Sequence, residues 1–178
     1  MGTIEFITDC LAGVQIRLLG SCNGVTREQS LWRPSPHANN IGFVLWHVAR
    51  AEDGTVTTLC GETPLWVSEG WHERFGQPED APDPGDRLGL RSVNIPEMEV
   101  LIGYMEAVHA RTSAYLGRLT VDELQAMPDP SQSGPTRAVT LRHLITHKNH
   151  HQGQIDFIRG LQDDAWDLPM GTGMVLPK

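Results

Sequence analysis

Apolar residues recur every three or four positions in four stretches of the chain, which is the spacing of amphipathic helices. These stretches are residues 3–19, 40–60, 96–119 and 140–161. No segment keeps the alternation of apolar and polar residues that a half-buried strand requires, and no internal repeat is visible. The pattern therefore predicts an all-α protein, a four-helix bundle.

Residues that cap helices support these boundaries, because their side chains accept hydrogen bonds from the first backbone N–H groups of a helix. Asn39 or Asn40 is predicted to cap the second long helix, Asn94 the third and Thr140 the fourth. A capping-box spacing begins at Thr26 and predicts one further short helical turn.

Prolines and glycines repeatedly interrupt residues 61–95, which makes this segment too long and too broken for a simple connector. It is either disordered or a functional lid. Trp66, Trp71 and Phe75 favour the lid, because disordered linkers rarely carry large aromatic residues. We therefore expect a long crossover or lid loop between the second and third long helices, with Trp66 and Trp71 closing over a site.

Composition and charge narrow the classes of function. The length suits a single domain spanning residues 1–178. The formal net charge is −8 and no run of Lys or Arg occurs, which argues against nucleic acid and anionic membranes as partners. There is no apolar run long enough to span a membrane and no signal-peptide pattern at the start. The odd number of cysteines, three, suits the reducing cytoplasm.

The fourth predicted helix carries four of the eight histidines of the chain. At about 100° per residue, His147 lies about 40° from His151, and both fall within the apolar stripe that contains Ile155. On the same reckoning His143 and His150 lie roughly 80° and 100° away, at the margin of the stripe. Hydrogen-bonded core histidines would give the same spacing. However, burying two imidazoles without an ion leaves polar groups to satisfy, so His147 and His151 are candidate metal ligands.

A third ligand has to come from another helix, and His47 is the best candidate. Ala51, Gly54 and Thr58 share its helical face, and such small residues leave room for an open coordination position. The remaining histidines stand in loops or among polar residues and are predicted to lie at the surface: His37, His72 and His109.

Two motifs resemble the DinB/YfiT-like superfamily. They are the run WHVARAED at 46–53 and the run HKNHHQGQI at 147–155. The order of predicted helices resembles that of the family over most of the chain, but only these two motifs are specific to it. It implies a four-helix bundle with a long crossover and a metal triad of His47, His147 and His151. It further implies a Zn, Ni or Fe ion and, frequently, a homodimer.

Three neutral histidines leave a position for water or substrate, which is the pattern of a catalytic metal site. The family that the chain resembles includes transferases that use low-molecular-weight thiols such as mycothiol, bacillithiol or glutathione. The resemblance thus implies a metal-dependent transferase or isomerase that joins a small thiol to an electrophile. Two alternatives remain: a metal-water hydrolase, which lacks a carboxylate on the ligand faces, and a non-catalytic binder of metal or a small molecule.

Two further residues are candidates for substrate contacts. Arg50 lies about 60° from His47 around the helix and could hold a carboxylate, or it could pair with Glu52 or Asp53. Gln154 lies about one turn beyond His151. It could orient a ligand, or it could simply lie at the edge of the polar face of the helix.

Overall fold

A computed structural model describes residues 1–80, 90, 92–129, 131 and 133–167. Its helices are α1 (Thr3–Cys22), α2 (Arg27–Leu31), α3 (Ile41–Cys60), α4 (Leu65–Ser68), α5 (Trp71–Phe75), α6 (Met98–Leu116) and α7 (Arg137–Gln162), with a 3-10 turn at Asp122–Gln125. The described residues contain no strand, and the predicted all-α fold is confirmed.

The four long helices α1, α3, α6 and α7 form the bundle, and α3 packs against both α6 and α7 while α1 packs mainly against α7. Successive contacts show that α3 and α6 run in the same direction. Glu52 of α3 accepts a hydrogen bond from Thr112, and Glu62, just beyond α3, accepts one from Arg118, just beyond α6. Two parallel neighbours require the chain to return along the whole bundle, which explains the long crossover between them.

Local signals account for the ends of α3, the helix that carries His47. The Asn40 side chain accepts a hydrogen bond from the Phe43 N–H at 2.8 Å, as the sequence predicts. At the other end Gly61 adopts φ 69°, a left-handed conformation that glycine adopts without strain, and its N–H donates to the Thr57 carbonyl. The predicted capping box at Thr26 is also present.

Two predicted helix starts are wrong. α6 begins at Met98, because the Asn94 amide donates to the Phe75 carbonyl at 2.7 Å and so ties the crossover instead of capping the helix. α7 begins at Arg137 with Thr136 as its cap, and the Thr140 hydroxyl donates back to the Thr136 carbonyl within the first turn.

The first part of the crossover is folded into the core. Trp66 and Phe75 are 1% and 0% exposed, and both rings contact Tyr104, as does that of Trp71. The Asp53 carboxylate accepts hydrogen bonds from the backbone N–H groups of Leu65 and Trp66, and so fixes the start of α4. The lid prediction places Trp66 and Trp71 over the histidines, whereas the structure packs both against Tyr104.

The rest of the predicted lid, residues 81–89 and 91, and the end of the tail, residues 168–178, lie outside the described residues. Among the helices that are described, none is both long enough and apolar enough to cross a membrane.

Candidate metal centre

Three histidines from two antiparallel helices converge at one point of the bundle. His47 extends from α3, and His147 and His151 extend from α7 one turn apart. The Nε2 atoms of His47 and His147 lie 3.1 Å apart. One ring nitrogen of each residue lies within 4.8 Å of the other two, so the group could hold a metal ion. The three side chains that the sequence predicts as ligands are thus brought together.

The spacing of these nitrogens fits a divalent transition metal. Zinc–nitrogen bonds are about 2.0–2.1 Å long, so two ligand nitrogens are about 2.9 Å apart at a right angle and about 3.4 Å apart at the tetrahedral angle. The distance between His47 and His147 falls in this range. Among the residues that the structure describes, no carboxylate or thiol joins the three histidines in this group.

Outside the group, the His147 ring has no hydrogen-bond partner among the described residues. Its Nε2 atom faces His47, and its Nδ1 atom is buried without a partner. Burial lowers the pKa of His47, and the neighbouring His151 lowers it further. Burial and the surrounding histidines lower the pKa of His147 to about 4. These imidazoles are therefore neutral at pH 7 and keep the lone pairs that a metal requires.

Gln154 orients one of the three rings. Its Oε1 atom lies 3.0 Å from His151 Nδ1, and its Nε2 atom lies 3.1 Å from His150 Nε2. Since an amide oxygen only accepts hydrogen bonds, Nδ1 of His151 carries the proton and Nε2 keeps its lone pair. Burial lowers the pKa of His151 in spite of this hydrogen bond.

The other histidines of α7 lie outside the group. His143 and His150 are exposed, in agreement with their predicted position at the margin of the apolar stripe. The His143 ring nevertheless lies 5.7 Å from that of His147. It is therefore the appropriate control for any substitution of the three.

The prediction that the remaining histidines lie at the surface holds for His37 and is wrong for the other two. His72 donates a hydrogen bond to the Trp66 carbonyl at 2.9 Å, and only 14% of its side chain is exposed. His109 Nδ1 lies 3.7 Å from the buried Glu52 carboxylate. His72 lies against the core because the crossover packs there, and His109 does so because α6 packs there. The spacing of residues along the chain does not reveal these tertiary contacts.

A cavity of about 490 Å³ opens along the cleft between α3 and α7, starting at Arg50 and Ala51, about one helical turn beyond His47; none of the three histidines is among its lining residues. One wall is formed by small residues of α3. They are Ala51, Gly54 and Thr58, which the sequence places on the same face as His47, and the neighbouring Thr55. The other consists of Thr140 of α7 and residues 127–129 and 133–135 of the preceding loop. Its volume is in the range of small-molecule sites, about 300–1,000 Å³.

Arg50 lies at the edge of this cavity. Its guanidinium stacks over the Trp66 ring, 4.2 Å from the ring centroid, which holds it in place. Neither Glu52 nor Asp53 pairs with it: Glu52 is bound by Lys148, and Asp53 by Arg111 and Tyr104. The charge of Arg50 therefore has no acidic partner within 4.0 Å among the described residues.

Sequence reasoning missed one buried polar cluster beside the histidines. Lys148 Nζ lies 2.6 Å from Glu52 Oε2, and neither side chain is exposed. A signal was present, because at about 100° per residue Lys148 falls about 60° from His151, within the apolar stripe of α7. A charged residue at such a position has to be paired.

The DinB superfamily model matches residues 11–155, which is most of the chain and includes all three histidines. The chain belongs to the DinB superfamily. A crystal structure described as a conserved protein from Enterococcus faecalis is similar over 90% of this chain and 97% of that chain, with a TM-score of 0.80 and 25% identity. No curated protein gives a significant match. The DinB fold and the convergent histidines together fit a metal-binding protein.

Proposed function

We propose that this DinB protein is a metal-dependent enzyme that joins a low-molecular-weight thiol to a small electrophile, in a transferase or isomerase reaction. The observation that carries the proposal is the convergence of the three histidines, together with a cavity of about 490 Å³ that begins about one helical turn beyond His47 on α3. A purely structural metal site is normally closed by four protein ligands. Here three imidazoles converge, and a space that a small molecule can enter begins about one turn further along α3.

The bound metal, which we propose to be Zn, Ni or Fe, would lower the pKa of a thiol so that the nucleophilic thiolate is present at neutral pH. The chain supplies the remaining requirements. His47, His147 and His151 would hold the ion, and Gln154 keeps the His151 ring in the tautomer that leaves Nε2 free. The thiol proton is released to solvent. In a transferase reaction, the thiolate sulfur then forms a bond to the electrophilic carbon as the leaving group departs from that carbon with its bonding electron pair. In an isomerase reaction, the sulfur adds to an activated carbon–carbon double bond, and the double bond re-forms when the thiolate leaves.

Arg50 is the residue we propose to bind a carboxylate of the thiol or of the electrophile. It lines the cavity three residues beyond His47, and its side chain is fixed on Trp66. A guanidinium binds a carboxylate through two parallel hydrogen bonds, which fixes orientation as well as charge. The small residues Ala51 and Gly54 leave the adjacent space for the body of the substrate.

The proposal is tested by replacing the metal with Co(II) and adding glutathione, bacillithiol and mycothiol in turn. Direct sulfur coordination is expected to produce a new near-ultraviolet absorption band with at least one of them. No spectral change with any of the three would contradict the thiol chemistry. Absence of stoichiometric metal after loading would contradict the metal site itself.

A hydrolase is the second candidate, and one observation favours it. Asp129, from the loop before α7, is the acidic residue among the described residues that line this cavity. Its Oδ1 accepts hydrogen bonds from the backbone and hydroxyl of Ser131. In a hydrolase such a carboxylate would accept a proton from the attacking water. Asp129→Asn should then abolish ester or amide cleavage while leaving thiol binding unchanged.

Two further expectations belong to the proposal. All three cysteines are free thiols, which is consistent with a cytoplasmic protein. The homodimer implied by the family resemblance stays a prediction, and sedimentation analysis of the purified protein would test it.

A further inference from the structure

A buried ion pair crosses the bundle immediately beside the three histidines. Lys148 Nζ and Glu52 Oε2 are 2.6 Å apart, and both side chains are 0% exposed. Lys148 follows His147 directly in α7, and Glu52 lies five residues beyond His47 in α3. The pair therefore joins the same two helices as the candidate metal centre, at a neighbouring level of the bundle.

The same pair also contacts the other two long helices. The Lys148 ammonium donates a second hydrogen bond to Gln15 Oε1 of α1 at 2.7 Å. The second oxygen of Glu52 accepts a hydrogen bond from the Thr112 hydroxyl of α6 at 2.7 Å. One ion pair with two neutral partners thus connects all four helices of the bundle.

Stability alone does not account for such a cluster. Two charges lose their hydration on burial, and apolar residues of similar volume often give an equally stable core. What apolar contacts do not provide is direction, because burial of apolar surface is favourable over a range of orientations. A turn of α7 by one residue is a rotation of about 100°, which would carry His147 and His151 away from His47.

We propose that Glu52 and Lys148 are positioning residues for the metal centre. Their hydrogen bonds fix the rotation of α7 against α3, so that the nitrogens of His47, His147 and His151 converge before a metal is bound. The inference rests on the metal binding proposed above, and it adds to it the residues that preorganise the site.

The next residue of α3 offers a matched control. Asp53 is also 0% exposed, and its carboxylate is bound by the backbone of Leu65 and Trp66 and by the Tyr104 hydroxyl. These partners belong to α4 and α6, and none of its described hydrogen bonds reaches α7. Asp53 therefore shares helix, charge and burial with Glu52, but it has no part in orienting the helix that carries two of the histidines.

The test compares Co(II) affinity, the visible Co(II) spectrum and thermal unfolding in four variants. Glu52→Gln with Lys148→Met removes both charges and leaves neither unpaired, so this double variant is expected to fold. Glu52→Asp keeps the charge and shortens its reach. Both should bind Co(II) about 10–100-fold more weakly, the usual effect of losing groups that orient metal ligands, and should show an altered spectrum. Asp53→Asn should unfold at a lower temperature yet keep the wild-type affinity and spectrum.

A folded double variant or Glu52→Asp variant with the wild-type affinity and spectrum would overturn the inference. An equal loss of affinity in Asp53→Asn would also overturn it, because any buried carboxylate would then have the same effect. Wild-type protein that binds no metal at all would instead contradict the proposed function. The single variant Lys148→Met, which leaves Glu52 unpaired, should show the largest fall in unfolding temperature.

Discussion

Gln154 accepts a hydrogen bond from the Nδ1 atom of His151 at 3.0 Å, from a position one helical turn further along α7. An amide oxygen cannot donate, so this contact selects one tautomer of His151 and directs its Nε2 lone pair away from Gln154. Partners of this kind hold metal-binding histidines in the orientation that the ion requires.

Gln154→Ala should therefore weaken metal binding by about 10–100-fold without unfolding the protein. Gln154→Glu keeps an oxygen acceptor at the same place and should retain tight binding. Calorimetric titration of the metal-free proteins with Zn(II) measures both affinities. Equal affinities for wild type and Gln154→Ala would show that the contact with His151 does not prepare a ligand.

Each of the three central histidines should be required for stoichiometric metal. Replacing His47, His147 or His151 singly with Ala leaves two imidazoles, which bind a divalent ion too weakly to survive gel filtration. His143→Ala is the control, because its ring lies close to that of His147 but is exposed. Elemental analysis of the purified variants gives the result. Loss of metal in His143→Ala with retention in His147→Ala would reverse the assignment.

The sequence predicts the fold well because the four long helices are defined by local signals. Apolar periodicity locates α1, α3, α6 and α7, and Asn40 marks the start of α3 correctly. The starts of α6 and α7 are misplaced because the true partners of Asn94 and Thr140 depend on the surroundings. Asn94 reaches across to Phe75, a contact between residues that are 19 positions apart.

The candidate site is predictable to the extent that one helix determines it. Angular position alone selects His147 and His151 over His143 and His150, because only the first pair faces the core. The pairing of Lys148 with Glu52 was not predicted, because these two residues lie on different helices and are 96 positions apart in the sequence. The cavity wall formed by the loop before α7 likewise arises only from tertiary packing.

Acid should destabilise the metal-free protein through the same histidines. The pKa of His147 is lowered to about 4, whereas in the unfolded chain it returns to about 6.5. Between these values the unfolded state binds more protons, so the free energy of unfolding falls as the pH decreases from about 6.5 towards 4. Burial also lowers the pKa values of His47 and His151, which adds to the effect.

Urea unfolding of the metal-free protein at several pH values in this window measures the dependence. His147→Gln should show a shallower fall in stability with acid than the wild type, because one of the contributing groups is gone. His37→Gln, which removes an exposed histidine from outside the group, should keep the wild-type slope. Identical slopes for all three proteins would indicate that the acid sensitivity has another origin.

Two glycines of α3 should respond in opposite directions to alanine. A Cβ atom at Gly42 would collide with Cγ2 of Ile95 and lie 3.3 Å from the Ser30 carbonyl, so Gly42→Ala should destabilise by about 1–3 kcal/mol. At Gly54 the added Cβ would meet no described atom within 4 Å other than those of its own stretch of helix, and the gain in helix propensity should stabilise the protein by up to about 1 kcal/mol. Thermal unfolding distinguishes the two. A tolerated Gly42→Ala would contradict the close packing of α3 on Ile95.

The proposed role of Arg50 can be separated from that of the metal by the choice of thiol. Arg50→Met should keep stoichiometric metal, since Arg50 is not a ligand. It should weaken the binding of glutathione, which carries carboxylates, by roughly 10-fold or more, as expected when a charge-assisted hydrogen bond is lost. Binding of 2-mercaptoethanol, which has no carboxylate, should be unchanged. Arg17→Met, which removes an arginine that contacts Asn149 on another face of the bundle, is the control and should affect neither thiol.

The pattern of losses then assigns the role of the side chain. A loss confined to the carboxylate-bearing thiol supports Arg50 as its anchor, and Arg50→Lys should restore only part of the affinity because an ammonium lacks the two parallel donors. An equal loss for both thiols would mean that Arg50 acts by packing on Trp66, 4.2 Å away, and so by shaping the cavity wall. No loss for either thiol would remove Arg50 from the site and leave the three histidines with the cavity between α3 and α7 as its basis.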